Sequence, residues 1–187
     1  LYEMFGTDSY GYSGNRNLKP EKSNTYEIYS NITFNKNLNL TLRAFRANIQ
    51  NNIEYINNKY QNDDDDVDLN QSGFNNNLNI KLRDTNINFF SSFLSSKKEN
   101  GADQLRRPEK NYGLNISQKI QNIFLGNFNI NLAYNHYGKH FDTHSSNFST
   151  IEMDSTDIID LKITKKLINS DFYIKVTNVL DETYQKP

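Results

Sequence analysis

The sequence has no cysteine, so disulfide bonds and thiolate metal sites are excluded. Its formal net charge is only -1, and no stripe of lysine or arginine runs along it, so a nucleic-acid partner is not expected. It lacks any run of about 18–20 apolar residues, which excludes a transmembrane helix. It also lacks the basic-then-apolar start of a signal peptide, and it begins at Leu1, which favours an internal piece of a longer protein.

Apolar residues are scarce as well. They make up 35% of the chain, with a mean hydropathy of -0.82, whereas globular domains contain roughly 45–50%. Disorder is not the explanation, because the net charge is near zero and aromatic residues reach 13%. The sequence therefore predicts a folded protein whose apolar residues are distributed in an unusual way.

The dominant pattern is an alternation with a period of two. In "NFNINLAYNHY", Phe128, Ile130, Leu132 and Tyr134 alternate with asparagine and alanine, as one apolar face of a strand requires. Six other segments repeat this design, and no helical periodicity is sustained. The sequence predicts an all-β antiparallel meander with strands at Asn24–Phe34, Leu38–Ile56, Leu69–Leu82, Asn86–Lys97, Glu109–Ile120, Asn127–Gly138, Ser155–Lys166 and Ser170–Leu180, and with Leu1–Phe5 closing an earlier strand.

The connections alternate between short and long. "NKN", "RDT", "QNIFLG" and "INS" are tight, whereas "NNKYQNDDDD", "KENGADQLRRP" and "KHFDTHSSNFSTIEM" are long and polar. In a meander this puts every long loop at one end, as in outer-membrane β-barrels. Such a barrel also explains the low hydropathy, because only half of each strand faces lipid. The alternative is a soluble meander or sandwich, which also alternates but has shorter strands.

Four phrases carry a family resemblance. "GNRNLKPEKSNTYEIYSNITF" resembles the signature of TonB-dependent outer-membrane receptors, although Tyr29 stands where the family usually has glycine. "NNIEYINNKYQN", "QLRRPEKN" and "IKVTNVLDETYQ" resemble further family phrases in the same order. The matched motif residues, for which we expect structural roles, are Leu18, Lys19, Pro20, Glu21, Tyr26, Glu27, Asn178, Asp181 and Tyr184.

The resemblance implies part of a transmembrane barrel of roughly 22 strands in the bacterial outer membrane, with about eight strands present. Residues 1–187 would be the C-terminal portion of the barrel, without the plug domain and the last strand. Such a piece alone is expected to be neither a working receptor nor a stable monomer, because both sheet edges stay unpaired.

The implied function is TonB-energised import of a scarce nutrient complex. The loop "YGKHFD" and the short spacing to the end resemble the cobalamin-receptor branch, and a siderophore or haem receptor is the alternative. The implied partners are cobalamin or a ferric siderophore, TonB acting through the plug domain, and outer-membrane lipid and lipopolysaccharide. A secreted β-rich adhesin or lectin is the rival of another class.

Substrate-contact candidates lie in the three long connections: Asp63, Asp64, Asp65, Asp66, Arg106, Arg107, His140 and His144. The aspartate run offers oxygen ligands for a hard cation, but it lacks the spacing of a calcium loop, and a solvated loop is the favoured interpretation. The two arginines suit an anionic substrate or lipopolysaccharide phosphate, and pairing with Glu27 or Asp160 is an equally good alternative.

The three histidines, His136, His140 and His144, recur at every fourth residue. This spacing would form a metal-binding face on a helix, but here it covers a strand end and a loop, so no metal site is predicted. A contact with haem or a metal chelate at the extracellular mouth is the alternative. No nucleophile, base and orienting group occur together, and no phosphate-binding loop is present. We therefore predict neither catalysis nor a cofactor, and a barrel phospholipase would need a serine–histidine pair facing lipid.

Overall fold

The computed structural model describes residues 2–9, 11–56, 59–62, 68–122, 126–144, 149–167 and 169–184, with the side chain of Ile56 left aside. Its elements are α1 (Tyr2–Phe5), β1 (Lys22–Asn35), β2 (Leu38–Gln50), β3 (Ile53–Ile56), β4 (Lys59–Asn62), β5 (Leu69–Leu82), β6 (Thr85–Lys98), β7 (Lys110–Asn122), β8 (Gly126–Tyr137), β9 (His140–Thr143), β10 (Thr150–Met153), β11 (Thr156–Lys166) and β12 (Asp171–Val176). Within these residues no helix is long and apolar enough to cross a membrane.

Eight of the strands form one antiparallel sheet in the order β1-β2-β5-β6-β7-β8-β11-β12. Strands that follow one another along the chain are neighbours in this sheet, apart from two hairpins, β3–β4 and β9–β10, which are inserted in long connections. The predicted all-β meander is confirmed, and so is the alternation of short turns with long connections.

One face of the sheet is apolar and exposed. Leu132 in β8 lies opposite Leu161 in β11 and Ile116 in β7, so cross-strand neighbours continue the apolar surface from strand to strand. Leu132 is 39% exposed and Ile174 in the edge strand β12 is 71% exposed. Because burial of apolar surface is what normally stabilises a sheet, this face needs an apolar environment beyond the chain itself.

The opposite face is polar and rich in amides. The amide nitrogen of Asn88 donates to Oδ1 of Asn77 at 3.0 Å and to Oδ1 of Asn79 at 2.9 Å. Asn115 in turn contacts Oδ1 of Asn88 at 3.4 Å. Asn79, Asn88 and Asn115 also line a cavity of about 540 Å³ near the short turns. The low hydropathy of the sequence thus comes from one strongly polar face.

The chain divides into two compact units. The first contains residues 1–27, 45–72 and 95–104, and it includes α1 and the β3–β4 hairpin. The second contains residues 28–44, 73–94 and 105–187, and it includes β7, β8, β11 and the β9–β10 hairpin. The apolar and amide-rich faces described above belong to the second unit.

Three boundaries differ from the sequence prediction. The predicted strand Leu1–Phe5 is wrong, because Tyr2–Phe5 is a single helical turn in which the Gly6 amide donates to the carbonyl of Tyr2 at 2.7 Å. The predicted strand Leu38–Ile56 is broken by Asn51, whose φ of 54° is left-handed. Asparagine tolerates this conformation better than most residues, and it lets the chain leave the sheet and begin a hairpin.

The last strand ends at Val176 rather than Leu180. Asn178 and Asp181 have φ values of 52° and 55°, which are incompatible with an extended strand. The strands β4, β9 and β10 are additional short elements inside connections that the sequence predicts as loops.

Candidate functional site

The family phrase "NLKPE" is held by the β3–β4 hairpin through the side chain of Asn62. Oδ1 of Asn62 accepts the Lys19 amide at 2.7 Å, and Nδ2 donates to the carbonyl oxygens of Lys19 at 2.9 Å and Asn51 at 2.7 Å. Asn51 Nδ2 also contacts the carbonyl of Pro20 at 3.3 Å. An amide carries an acceptor oxygen and two donor hydrogens without a charge, so this side chain can make all three contacts and fix the segment that leads into β1.

Two further contacts join the same segment to the hairpin. Oε1 of Glu21 accepts the Ile53 amide at 2.8 Å, and Asn15 Nδ2 donates to the carbonyl of Tyr60 at 3.0 Å. Pro20, which has no amide to donate, lies two residues before the start of β1. Leu18 is half-buried beside these groups. The motif therefore has a structural explanation in the contacts of the hairpin.

Four tyrosines converge in the first unit. Tyr12 is buried at the centre, stacked on Tyr2 with ring centroids 4.8 Å apart, and its hydroxyl donates to the Tyr2 carbonyl at 2.8 Å. Tyr60 meets the Tyr12 ring edge-on at 5.9 Å, and Tyr55 lies 5.0 Å from Tyr60. Burial raises the pKa of the Tyr12 phenol, and the neighbouring phenol of Tyr2 acts in the same direction. These rings form an aromatic cluster in the first unit, centred on the buried Tyr12.

A partly buried ion pair lies in the same unit. The Lys98 ammonium is 2.7 Å from Oε2 of Glu54, and Asn52 donates to Oε1 of that carboxylate at 3.2 Å. The aspartate run of residues 63–66 lies outside the described residues. No group of three or more acidic or histidine side chains within metal-binding reach occurs in the part of the chain that is described.

Arg106 does not pair with Glu27 or Asp160, the partners considered from the sequence. Its Nε donates to Oδ1 of Asp142 at 2.8 Å, and its backbone amide donates to the carbonyl of Phe141 at 2.7 Å. The Arg106 guanidinium therefore lowers the pKa of the Asp142 carboxyl. Asp142 comes from β9, a hairpin strand that the sequence prediction leaves as a loop.

The exposed guanidinium of Arg107 lies beside this pair. Its Nη1 is 3.4 Å from the carbonyl oxygen of Arg106. On the hairpin, the Lys139 ammonium contacts Glu152 at 3.0 Å and Asp154 at 3.4 Å. Those two carboxylates raise the pKa of Lys139. Among these loop cations, Arg107 is the one that offers a fork of donors to solvent without a carboxylate partner in the described chain.

The histidines do not form a common site in the structure. His140 is only 6% exposed, and its Nδ1 lies 3.4 Å from the carbonyl oxygen of Gly138. His144 is half-buried just after β9, and its amide donates to the carbonyl of Ser149 at 2.8 Å. A direct role of His140 in coordinating a substrate would first require its exposure.

His136 belongs to a separate cluster at the end of the apolar face. Its Nδ1 is 2.8 Å from Oδ1 of Asp157, and the same oxygen accepts the Tyr134 hydroxyl at 2.7 Å. The imidazole stacks on Tyr112 with centroids 4.4 Å apart. Aromatic rings with polar tips are suited to the boundary between an apolar layer and water.

The C-terminal phrase folds into a turn built on Asn178. Its backbone amide donates to Oδ1 of Asp160 at 2.9 Å, its Nδ2 donates to the Glu182 carbonyl at 2.8 Å, and its Oδ1 accepts the Glu182 amide at 3.1 Å. The Asp181 amide donates to the Asn178 carbonyl at 2.9 Å. Tyr184 lies half-buried after this turn. In β1, the motif residue Tyr26 is exposed.

The sequence places Asn62 in a family phrase without indicating its contacts, and it gives no sign of the role of Asp142. Asn62 is the last residue of the phrase "NNIEYINNKYQN", two positions after Tyr60, but nothing local reveals that its amide contacts a segment 43 residues away. Asp142 is 36 residues from Arg106, and an aspartate in a polar connection gives no signal of its partner.

Comparisons with known proteins give one family. The family described as "TonB dependent receptor-like, beta-barrel" matches residues 1–179. No curated protein sequence matches the chain. Several solved structures are similar in fold.

The ferripyoverdine receptor of the outer membrane of Pseudomonas aeruginosa superposes with a TM-score of 0.71 at 18% identity, covering 91% of this chain and 25% of that one. The ferric-catecholate import receptor Fiu of E. coli K12 gives 0.69 at 18% identity, with 97% and 28% covered. The ferric yersiniabactin uptake receptor FyuA of Yersinia pestis gives 0.69 at 15% identity, with 87% and 25% covered. The chain thus spans about a quarter of the length of these proteins.

Proposed function

Because this chain belongs to the TonB-dependent receptor β-barrel family, we propose that it is part of a receptor that imports a ferric siderophore with energy delivered by TonB. Members of the family are β-barrel proteins of the outer membrane of Gram-negative bacteria, and the chain is placed there with them. The observation that carries the proposal is the combination of this family match with a sheet whose exposed face is apolar and whose opposite face is polar.

The strands have the dimensions that such a barrel requires. Seven strands of the main sheet are 11–14 residues long. A tilted strand needs about 9–11 residues to cross the hydrocarbon layer. In this proposal the apolar face, with Leu132 and Ile174, contacts lipid, and the partly buried His136 cluster lies at the outer boundary of that layer.

The amide-rich face would line the interior of the barrel. Its asparagines bond to one another, so the wall stays polar and hydrated without a large net charge. A bulky, hydrophilic metal complex needs a passage of this kind, because an apolar wall would impose the cost of removing its water.

We favour a ferric siderophore over the cobalamin suggested by the sequence. The support is that the three similar structures named above are receptors for ferripyoverdine, a ferric catecholate and ferric yersiniabactin. Arg107, with its free donors, is the residue of the described loops that we propose as a contact for an anionic chelate. Arg106 is engaged by Asp142 through Nε, and its two Nη groups extend the same cationic surface.

The test is uptake by cells that produce the intact protein and lack their own siderophore receptors. We expect uptake of labelled iron with at least one of a panel of pyoverdine, catecholate and yersiniabactin complexes, and loss of that uptake when TonB is deleted. Uptake of labelled cobalamin instead of iron would contradict the siderophore proposal. Failure to transport any of these would contradict the receptor proposal itself.

The contact proposed for Arg107 has a matched control. Arg107→Ala is expected to weaken binding of an anionic ferric siderophore about tenfold, the usual effect of losing a charge-assisted hydrogen bond. Arg83→Ala removes an exposed arginine from a short turn at the opposite end of the strands and should leave binding unchanged. Equal effects of the two substitutions would show that Arg107 has no specific contact.

A further inference from the structure

Arg106 has an unusual backbone for an arginine. Its φ is 59°, in the left-handed region that side chains with a Cβ occupy at a cost in free energy. Two contacts with β9 hold it there: the amide donates to the Phe141 carbonyl at 2.7 Å, and Nε donates to Asp142 at 2.8 Å. The strained residue is thus maintained by a hairpin 35 or so positions further along the chain.

The free energy gained from these two contacts is of the same order as the cost of the left-handed backbone of Arg106. The Arg106 side chain is 62% exposed, so solvent screens its attraction to Asp142, whose own side chain is 17% exposed. One backbone hydrogen bond and one screened ion pair are each a small contribution. A contact whose gain exceeds its strain by a small margin keeps the closed arrangement predominant but allows local opening.

We propose that the contact of Arg106 with Phe141 and Asp142 is a latch between residues 105–109 and the β9–β10 hairpin. When the latch is closed, the connection before β7 is ordered against the hairpin. When it opens, Arg106 relaxes out of the left-handed region, and both segments lose protection together. The inference concerns loop ordering alone, so it stands or falls independently of which substrate is transported.

The hairpin has its own internal charges, which separate it from the latch. Lys139 pairs with Glu152 and Asp154 inside the same loop. Besides Arg106, the charged or titratable groups that influence Asp142 include the imidazole of His140, which acts from the same strand. A change at Lys139 therefore perturbs the hairpin without removing either contact of Arg106.

Hydrogen exchange on the intact protein at neutral pH tests the latch. We expect Asp142→Asn to speed exchange of residues 105–109 about fivefold, the effect of losing one charge-assisted contact in a locally opening segment. Arg106→Gln should give the same increase. The double variant should exchange no faster than either single variant, because both substitutions open the same contact.

Lys139→Gln is the matched control and should leave residues 105–109 unchanged. Protection of the amides in β8 and β11 reports whether a variant has assembled. If Asp142→Asn does not assemble, Arg106→Gln provides the test. Unchanged exchange in either assembled variant would overturn the proposal. So would additive effects in the double variant, or an equal effect of Lys139→Gln.

Discussion

Replacement of Asn62 by alanine tests whether the family phrase is held by the β3–β4 hairpin. The substitution removes three hydrogen bonds, to the amide and carbonyl of Lys19 and to the carbonyl of Asn51. A typical hydrogen bond contributes about 0.5–1.5 kcal/mol net, and water replaces part of the loss at this half-buried site. We therefore expect local stability to fall by about 2 kcal/mol, which is roughly a 30-fold increase in local opening.

The assay is hydrogen exchange of residues 17–22 and 53–56 in the intact protein, where local opening is measured directly. Gln61→Ala on the same strand is the control, because Gln61 is exposed. Asn62→Asp sharpens the test: it keeps the acceptor for the Lys19 amide but places a carboxylate oxygen against two carbonyl groups. It should cost at least as much as Asn62→Ala.

The reasoning would be refuted by a change of less than about threefold in Asn62→Ala, since that corresponds to less than one ordinary hydrogen bond. It would also be refuted if Gln61→Ala had the same effect. Either result would mean that the segment before β1 is fixed by the packing of the tyrosine cluster rather than by the Asn62 amide.

Three further predictions follow from particular contacts. Gly113→Ala should lower the free energy of unfolding by about 1–3 kcal/mol, because an added methyl group would collide with the ring of Phe90. An unchanged thermal unfolding curve would contradict this. Tyr12→Phe should speed exchange in helix α1 severalfold through loss of the hydroxyl contact, without disturbing the stacked rings. Because Arg106 lowers the pKa of Asp142, the latch should be closed above about pH 4, the ordinary range of an aspartate, and should open as the pH falls through the lowered value. After correction for the intrinsic exchange rate, residues 105–109 should exchange more slowly in the unchanged protein than in Asp142→Asn at neutral pH. The two rates should become equal only in acid.

The sheet could be predicted because its information is local. The predicted strand Leu69–Leu82 has the bounds that the structure shows. The other main strands differ by at most four residues at either end, except Leu38–Ile56, which ends six residues earlier, at Gln50. An alternating apolar face can be recognised from residues that are neighbours along the chain. The last strand ends earlier than predicted because of Asn178. Its left-handed backbone is held by hydrogen bonds to Asp160 and Glu182 rather than by adjacent residues.

The loop contacts could not be predicted for the same reason. The strands β4 and β9 have four residues each, too few for a period of two to stand out from a polar connection. Arg106 is identifiable from sequence as a cation near a strand start, but its partner is chosen by the position of the hairpin. The sequence therefore indicates the positive charge of Arg106 but not its pairing with the Asp142 carboxylate.

Asparagine links these observations. On the polar face its amides bond to one another, as Asn88 does with Asn77; at Asn51 and Asn178 it accommodates left-handed turns; and at Asn62 it joins two segments. Each use depends on a short side chain that both donates and accepts without charge. A chain that must be polar on one face and compact in its loops can thus stay near neutrality, and its low hydropathy reflects that polar face and its loops rather than a lack of folded structure.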